Sequence, residues 1–375
     1  MTKYKFDEIA INSTQKKKPT EEDKVYYIGL EHIDPGCFDV VRWGSDVAPT
    51  GDKLLMQKGD VLFGKRRAYQ RKVAIAPFDG IFSAHGMVLR PNLKVIDANY
   101  FPFFISSDKF METAVRISVG GLSPTINWKD LAKQEFELPS LEEQKVLADK
   151  LWAAYRLKEA YKKLLVATDE MVKSQFIEMF GTVESYCKLE DLVSDTFPGE
   201  WGSEPTSENA IKVIRTTNFT NEGHLDLADV VTRDIEPKKV ARKKLKQGDT
   251  ILERSGGTKD NPVGRVVFFD EIGDYLLNNF TQALRPKESV NPVYLFYALY
   301  NSYNINKAAM RAMASQTTGI QNLSMSDFMS KSIVLPPRDE QNKFEQIYRQ
   351  ADKSKFELRK SIDAIDKVIK SLINN

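Results

Sequence analysis

Leu138-Pro139-Ser140-Leu141-Glu142-Glu143-Gln144 and Leu335-Pro336-Pro337-Arg338-Asp339-Glu340-Gln341 repeat one pattern 197 positions apart in a chain of 375 residues. An offset of half the chain marks a tandem duplication, and a repeat of that size decides the organisation before any single element is assigned. Each copy opens a long polar-apolar run. Leu147, Leu151, Ala154, Tyr161, Leu165 and Val172 step by threes and fours, as do Phe344, Tyr348, Ala351, Leu358, Ile362 and Ile369, with Ile365 and Leu372 extending the second stripe. Seams of this period predict helices over 141–175 and 339–372 that pack on each other, coiled-coil style, through Leu147, Leu151, Leu165 and Val172 of one and Leu358, Ile362, Ile365 and Ile369 of the other. The competing reading packs each helix on its own domain. Lys158 and Lys355 interrupt both seams at the same place, where a lysine is expected to snorkel outward.

Backwards from these landmarks the halves stay in step. Gly59-Asp60-Val61-Leu62-Phe63 matches Gly248-Asp249-Thr250-Ile251-Leu252, a turn feeding a strand. Val88-Leu89-Arg90-Pro91 matches Ala283-Leu284-Arg285-Pro286, a strand halted by proline. The offset drifts from 186 through 189 and 195 to 197 residues, so the scaffold repeats while loop insertions distinguish the second copy. Domains are therefore expected over 1–138 and 181–335, with helical segments over 139–180 and 336–375.

Apolar residues at 42% supply ample cores, and no run approaches the ~18 apolar residues of a membrane span. The opening Met1-Thr2-Lys3-Tyr4-Lys5 shows no secretory pattern, and two isolated cysteines, Cys37 and Cys187, suit a reducing cytoplasm. A net charge of +2 excludes a grossly basic nucleic-acid coat but is silent on local patches.

Enzymatic motifs fail when compared between the copies. Asn291-Pro292-Val293-Tyr294 is similar to the motif with which amino-methyltransferases hold an amine, yet its counterpart is Asp97-Ala98-Asn99-Tyr100 and no glycine-rich cofactor loop follows a strand. Asp249 with Glu253-Arg254 resembles part of a nuclease site, but the first copy has Asp60 with Gly64-Lys65. His32, His85 and His224 are scattered, and no Gly-x-Ser-x-Gly elbow occurs. No catalytic or metal-binding residue is assigned.

Basic loops are better supported. Lys65, Arg66, Arg67, Tyr69, Arg71 and Lys72 crowd five cations and a tyrosine into the loop after Val61-Leu62-Phe63. Such a loop neutralises phosphates, and arginine also reads guanine O6 and N7 in the major groove. The matching loop carries Arg254, Lys259, Asn261 and Arg265 among glycines. Gly120-Gly121-Leu122-Ser123-Pro124-Thr125 and Gln316-Thr317-Thr318-Gly319-Ile320-Gln321 form two further polar loops, each read as a turn before a helix cap or as a phosphate contact. Lys238, Lys239, Arg242, Lys243, Lys244 and Lys246 lack aromatics and glycines, as a solvated helical face does.

The order of parts resembles the specificity subunit of type I restriction-modification systems: variable unit, Leu-Pro-x-x-Glu-Gln, long helix, Phe176-Ile177-Glu178-Met179-Phe180-Gly181, second variable unit, Leu-Pro-Pro-x-x-Glu-Gln, long helix. The resemblance spans essentially the whole chain. It implies an α+β chain with two α/β target-recognition domains in tandem, separated by two long helices packed as an antiparallel coiled coil. Each domain would read one half of a split site on double-stranded DNA, with the helices as a ruler of about 50 Å, or about 15 base pairs. It further implies two modification subunits that bind S-adenosylmethionine and methylate adenine, and restriction subunits that cleave; this chain itself would hold no cofactor. The chain departs from the pattern at the second domain's opening, Phe197-Pro198-Gly199-Glu200-Trp201-Gly202, which has no visible counterpart near Ile11-Asn12. A self-sufficient modification or restriction enzyme and a protein-binding coiled-coil scaffold are the competing classes.

Overall fold

A computed structural model describes residues 1–374 apart from 207–209, 259 and 318, and describes the side chains of neither Gln316 nor Thr317. The chain divides into two compact units, Met1–Lys163 with Leu358–Asn375, and Leu164–Glu357.

In the first unit, Thr2–Lys5 pairs antiparallel with Glu135–Leu138, so the two ends of the domain meet before Pro139 turns the chain into the long helix. A four-stranded sheet follows in the order Ala10–Ser13, Met87–Pro91, Val61–Phe63, Val73–Ile75. Its apolar residues alternate between two cores. Val61, Phe63, Val73, Met87 and Leu89 enter one cluster, whereas Leu62, Ala74 and Val88 enter another. A period of two with both faces buried explains why Val61-Leu62-Phe63 reads as an unbroken apolar run. A second sheet holds the parallel pair Tyr27–Ile28 and Gly80–Phe82.

The second unit repeats this plan. Tyr186–Lys188 pairs with Ser332–Val334, and the four-stranded order is Val193–Pro198, Thr281–Pro286, Thr250–Glu253, Val266–Phe268. Ile251, Val267 and Ala283 face one cluster and Leu252, Val266 and Leu284 the other. Ile211–Ile214 lies parallel to Tyr275–Leu277. The opening Phe197-Pro198 that lacked a partner in the sequence thus belongs to a strand with the same sheet position as Ala10–Ser13.

The repeated Gly-Asp and Arg-Pro landmarks are one device. Gly59 and Gly248 take φ of 91° and 93° in a turn that only glycine enters without strain. The aspartate after each accepts a fork of two bonds: Arg90 Nε and Nη2 reach Asp60 at 2.7 and 2.9 Å, and Arg285 Nε and Nη2 reach Asp249 at 2.8 and 2.7 Å. Each aspartate also caps its turn, from Gln57 N at 2.7 Å and Lys246 N at 2.8 Å.

The Glu-Gln pair is explained as well. Glu143 and Ser140 form a capping box, with Ser140 N and Oγ donating to Glu143 Oε2 at 2.9 and 2.8 Å. Gln144 is fully buried; its amide donates to Val95 O and Pro139 O and accepts from Asp97 N at 2.8 Å. Gln341 does the same for Pro336 O and Asn291 N, both at 2.8 Å. Each glutamine stitches a helix start to the loop entering the domain's last helices. We expect Gln341→Ala to cost about 1–3 kcal/mol, since the Asn291 N–H is left buried and unpaired. Unchanged thermal stability of that variant would contradict this role.

The long helices run Leu141–Phe180 and Arg338–Asn374. In the first unit Ala148, Leu151 and Tyr155 are buried in the domain core, and Ile369, Leu372 and Ile373 pack on the same cluster. In the second unit Val172 shares a cluster with Phe344, Tyr348 and Ala351. The helices therefore pack together antiparallel and on their own domains at once. Leu147 joins the first cluster half-buried, and Leu165, Leu358, Ile362 and Ile365 are half-buried. The seam lysines do not snorkel: Lys158 is buried and bonds Asp366 at 2.6 Å, and Lys355 is buried and bonds Asp169 at 2.7 Å. Both members of the second pair stand 197 positions from their counterparts, so the duplication carried the ion pair with it. Both cysteines are free thiols.

Candidate nucleic-acid interface

The loop after Val61–Phe63 is closed by Gly64 N donating to Lys72 O at 2.9 Å. Within it Arg67 and Arg71 take left-handed φ of 56° and 52°, the only non-glycine residues with positive φ among those described. That conformation costs about 1–2 kcal/mol per residue, so bonds elsewhere must hold it. Arg67 N donates to Pro124 O at 2.7 Å, and its Nε and Nη2 reach Ser123 Oγ at 3.2 and 3.1 Å. Arg71 Nη2 donates to Asp108 Oδ1 at 2.7 Å and to Ser106 O at 3.0 Å, while Lys72 Nζ donates to Leu30 O at 2.6 Å. Arg71 and Lys72 therefore anchor the loop. Lys65 and Arg66 are half-buried, and Arg67 and Tyr69 are exposed.

The fold brings the 120–125 loop against these cations. Ile126 N donates to Lys65 O at 3.0 Å, and Arg66 bridges Thr125. A third segment completes the surface: His85 O accepts from Arg66 N at 3.1 Å, and the His85 ring lies 3.4 Å from Arg66 Nη1. Burial, helped by Arg66, Lys65 and Lys53, holds the His85 imidazole below its usual range. Burial and nearby Lys16 likewise lower the Lys65 ammonium. Lys16 and Lys53 thus lie near the cations of 65–72, with the His85 ring, held toward its neutral form, beside them.

The second unit uses the same backbone with different side chains. Leu323 N donates to Arg254 O at 2.8 Å, as Ile126 N does to Lys65 O. Ser255–Gly256 pairs with Ile320–Leu323, which pairs with Ala314–Thr317, and Ser255 Oγ donates to Asn322 Oδ1 at 2.7 Å. Phe280 stands where His85 stands, its carbonyl accepting from Arg254 N at 2.9 Å, and its ring is 40% exposed. Arg254 is half-buried with Nη1 3.5 Å from Gln282 Oε1. Arg265 is committed inward: Nε meets buried Glu253 at 2.6 Å and the guanidinium lies 5.6 Å from the Phe219 ring. Asn261 Oδ1 accepts from Lys307 Nζ at 2.9 Å. Lys259 lies outside the described residues.

The segments around His85 and Phe280 were missed because Ser83-Ala84-His85-Gly86 carries little charge. The signal was available: the 195-residue offset of the Leu-Arg-Pro landmarks projects His85 onto Phe280.

The enzyme-like motifs have structural employment. Asp249 and Glu253 are tied to Arg285 and Arg265, and no group of three metal-ligating side chains occurs among the described residues. Asn291 is a helix cap, accepting from Val293 N and Tyr294 N at 2.9 and 3.1 Å. The run 238–246 is partly neutralised: Glu200 meets Lys239 and Lys243, and Asp274 meets Lys244. Among the described residues no helix is long and apolar enough to cross a membrane.

Known proteins share this plan. The specificity subunit of the type I restriction enzyme EcoKI from Escherichia coli (strain K12) is 20% identical over an alignment of 390 residues, covering 94% of this chain and 82% of that protein. That of StySPI from Salmonella potsdam is 21% identical, covering 94% and 81%. In fold, the chain matches the crystal structure of the type I restriction-modification S subunit from M. genitalium with a TM-score of 0.60 at 13% identity, over 99% of this chain and 94% of that one. It also matches a chain from a structure describing assembly and conformational transition of the type I system, with a TM-score of 0.57 at 17% identity over 99% and 96%. The family model for the type I restriction modification DNA specificity domain matches twice, over residues 3–165 and 188–365. Matched once in each half, the chain belongs to the type I restriction-modification DNA specificity family.

Proposed function

We propose that each unit reads one half of a split site on double-stranded DNA through the three-segment surface just described: 64–72, 83–86 and 117–126 in one, 254–265, 278–281 and 314–323 in the other. One observation carries this reading: the same backbone contacts hold loops whose side chains differ between the copies. Recognition needs that combination, a fixed scaffold with variable donors. Phosphate contacts set register, and donors such as the half-buried Arg66 and the exposed Arg67 choose bases. Membership in the family carries association with DNA and with the other subunits of a type I complex. More finely, residues 1–138 and 181–335 act as target-recognition domains, two modification subunits dock on the chain and supply S-adenosylmethionine chemistry, and restriction subunits join for cleavage.

The segments 139–180 and 336–375 serve as the ruler. Inserting one heptad after Lys163 and another after Lys360, midway between the ion-paired residues of each helix, preserves both Lys–Asp pairs. It adds about 10 Å, and the unread spacer is expected to grow by about three base pairs. An unchanged spacer in the methylated sites would sink the ruler. The purified chain alone, given DNA, magnesium and S-adenosylmethionine, is expected to show no turnover.

A further inference from the structure

Leu122 is the most exposed large apolar side chain among the described residues, at 97%. It stands at the tip of the 117–126 hairpin, between Gly120-Gly121 and Ser123-Pro124. The tip is held firmly. Val119 and Thr125 exchange backbone bonds of 3.0 and 2.9 Å, Pro124 O accepts from Arg67 N, and Ser123 Oγ accepts from the Arg67 guanidinium. Gly120 takes a φ of 111°, open only to glycine without strain. This backbone holds a leucine out in water beside Arg66 and Arg67, where it buries nothing and contributes nothing to folding. The second unit does not repeat this tip: by the match of Ile126 with Leu323, Gly319 at φ 83° stands opposite Leu122, and Ile320 after it is paired in a strand and 42% exposed.

A branched apolar tip beside cations fits a partner that presents a small apolar group among negative charges. In the DNA major groove that group is the thymine 5-methyl, the one apolar feature of the base edges. We propose that Leu122 is a specificity-determining residue that packs on a thymine methyl in the half-site read by the first unit. This rests on the reading that the 64–72 and 117–126 surface faces DNA. Leu122 touches no core cluster, so its alanine variant keeps the fold.

The test uses the chain assembled with its modification subunits and a duplex carrying the mapped site. Each thymine of the first unit's half-site is replaced singly by uracil, which deletes only the methyl. One such replacement is expected to weaken binding by the native chain about fourfold, the effect of one buried methyl group. Leu122→Ala is expected to bind the thymine duplex at least that much more weakly and to be indifferent to the same uracil. The assignment is overturned if no uracil matters to the native chain, or if the critical uracil costs the Leu122→Ala variant just as much. Arg66→Ala and Arg67→Ala separate the two levels. If they lose half-site affinity while no uracil responds, the surface still reads DNA and only the role of Leu122 falls; if they lose nothing, both fall.

Discussion

Replacing Arg66 and Arg67 together by alanine is expected to abolish discrimination at one half-site and to leave the other half-site untouched. Arg67 is exposed and Arg66 half-buried, and the left-handed turn that presents them is held by Arg71, Lys72 and the 120–125 loop rather than by their own contacts with the core. Each bidentate arginine–guanine pair is worth about 1–3 kcal/mol, so each lost arginine weakens the correct sequence about 5- to 150-fold. Competition binding against duplexes altered in one half-site at a time measures this directly. Arg254→Ala with Lys259→Ala is expected to give the mirror result at the other half-site. A uniform loss on every duplex, with the salt dependence reduced by about one ion per arginine, would instead make them phosphate contacts. Binding equal to the native chain's on every duplex would remove the loop from the interface.

The second large effect is on stability. Asp249 is 1% exposed and accepts both the Arg285 fork and the Lys246 turn bond, so Asp249→Ala leaves a largely buried guanidinium without its counter-charge. Breaking such a pair costs about 3–5 kcal/mol. Hydrogen exchange locates the loss. Amides of Thr250–Glu253, Val266–Phe268 and Thr281–Pro286 are expected to exchange about 10²–10⁴-fold faster, while Val61–Phe63 keeps its native protection. Asp60→Ala is expected to cost less, because Arg90 is a third exposed and already partly solvated. Equal protection in Asp249→Ala and the native chain would show that the landmark pair is decorative.

How much of this was legible in the residues depended on the range of the interaction. Local signals survived well. The Gly-Asp turns, the proline-halted strands and the two long helices all arise from chemistry within a few positions, and the duplication doubled each signal. That Asp60 meets Arg90 was hidden, because it depends on strand register: Val61 lies opposite Leu89, which puts the turn residue beside the strand end. A helix considered alone offers the seam lysines no buried partner, so the sequence predicts snorkelling for them. Their aspartates were in the sequence, displaced by the same 197 residues, but only the antiparallel packing within each unit pairs them. The donor-rich loops stood out by charge. The loops at 120–125 and 316–321 read as isolated turns in the sequence, and the fold alone sets 120–125 beside Lys65 and Arg66. Arg265 shows the opposite failure, a cation that composition assigns to the surface and Glu253 draws inward.

The claim that two similar units read two separate blocks of DNA is tested most directly by mapping methylated adenines across a genome. The chain is expressed with its modification subunits, first native and then as the Arg66→Ala, Arg67→Ala variant. The account predicts a site of two short defined blocks around an unread spacer of fixed length, with the variant relaxing one block while the other block and the spacer stay as they were. A single contiguous site, or a variant that relaxes both blocks together, would contradict it.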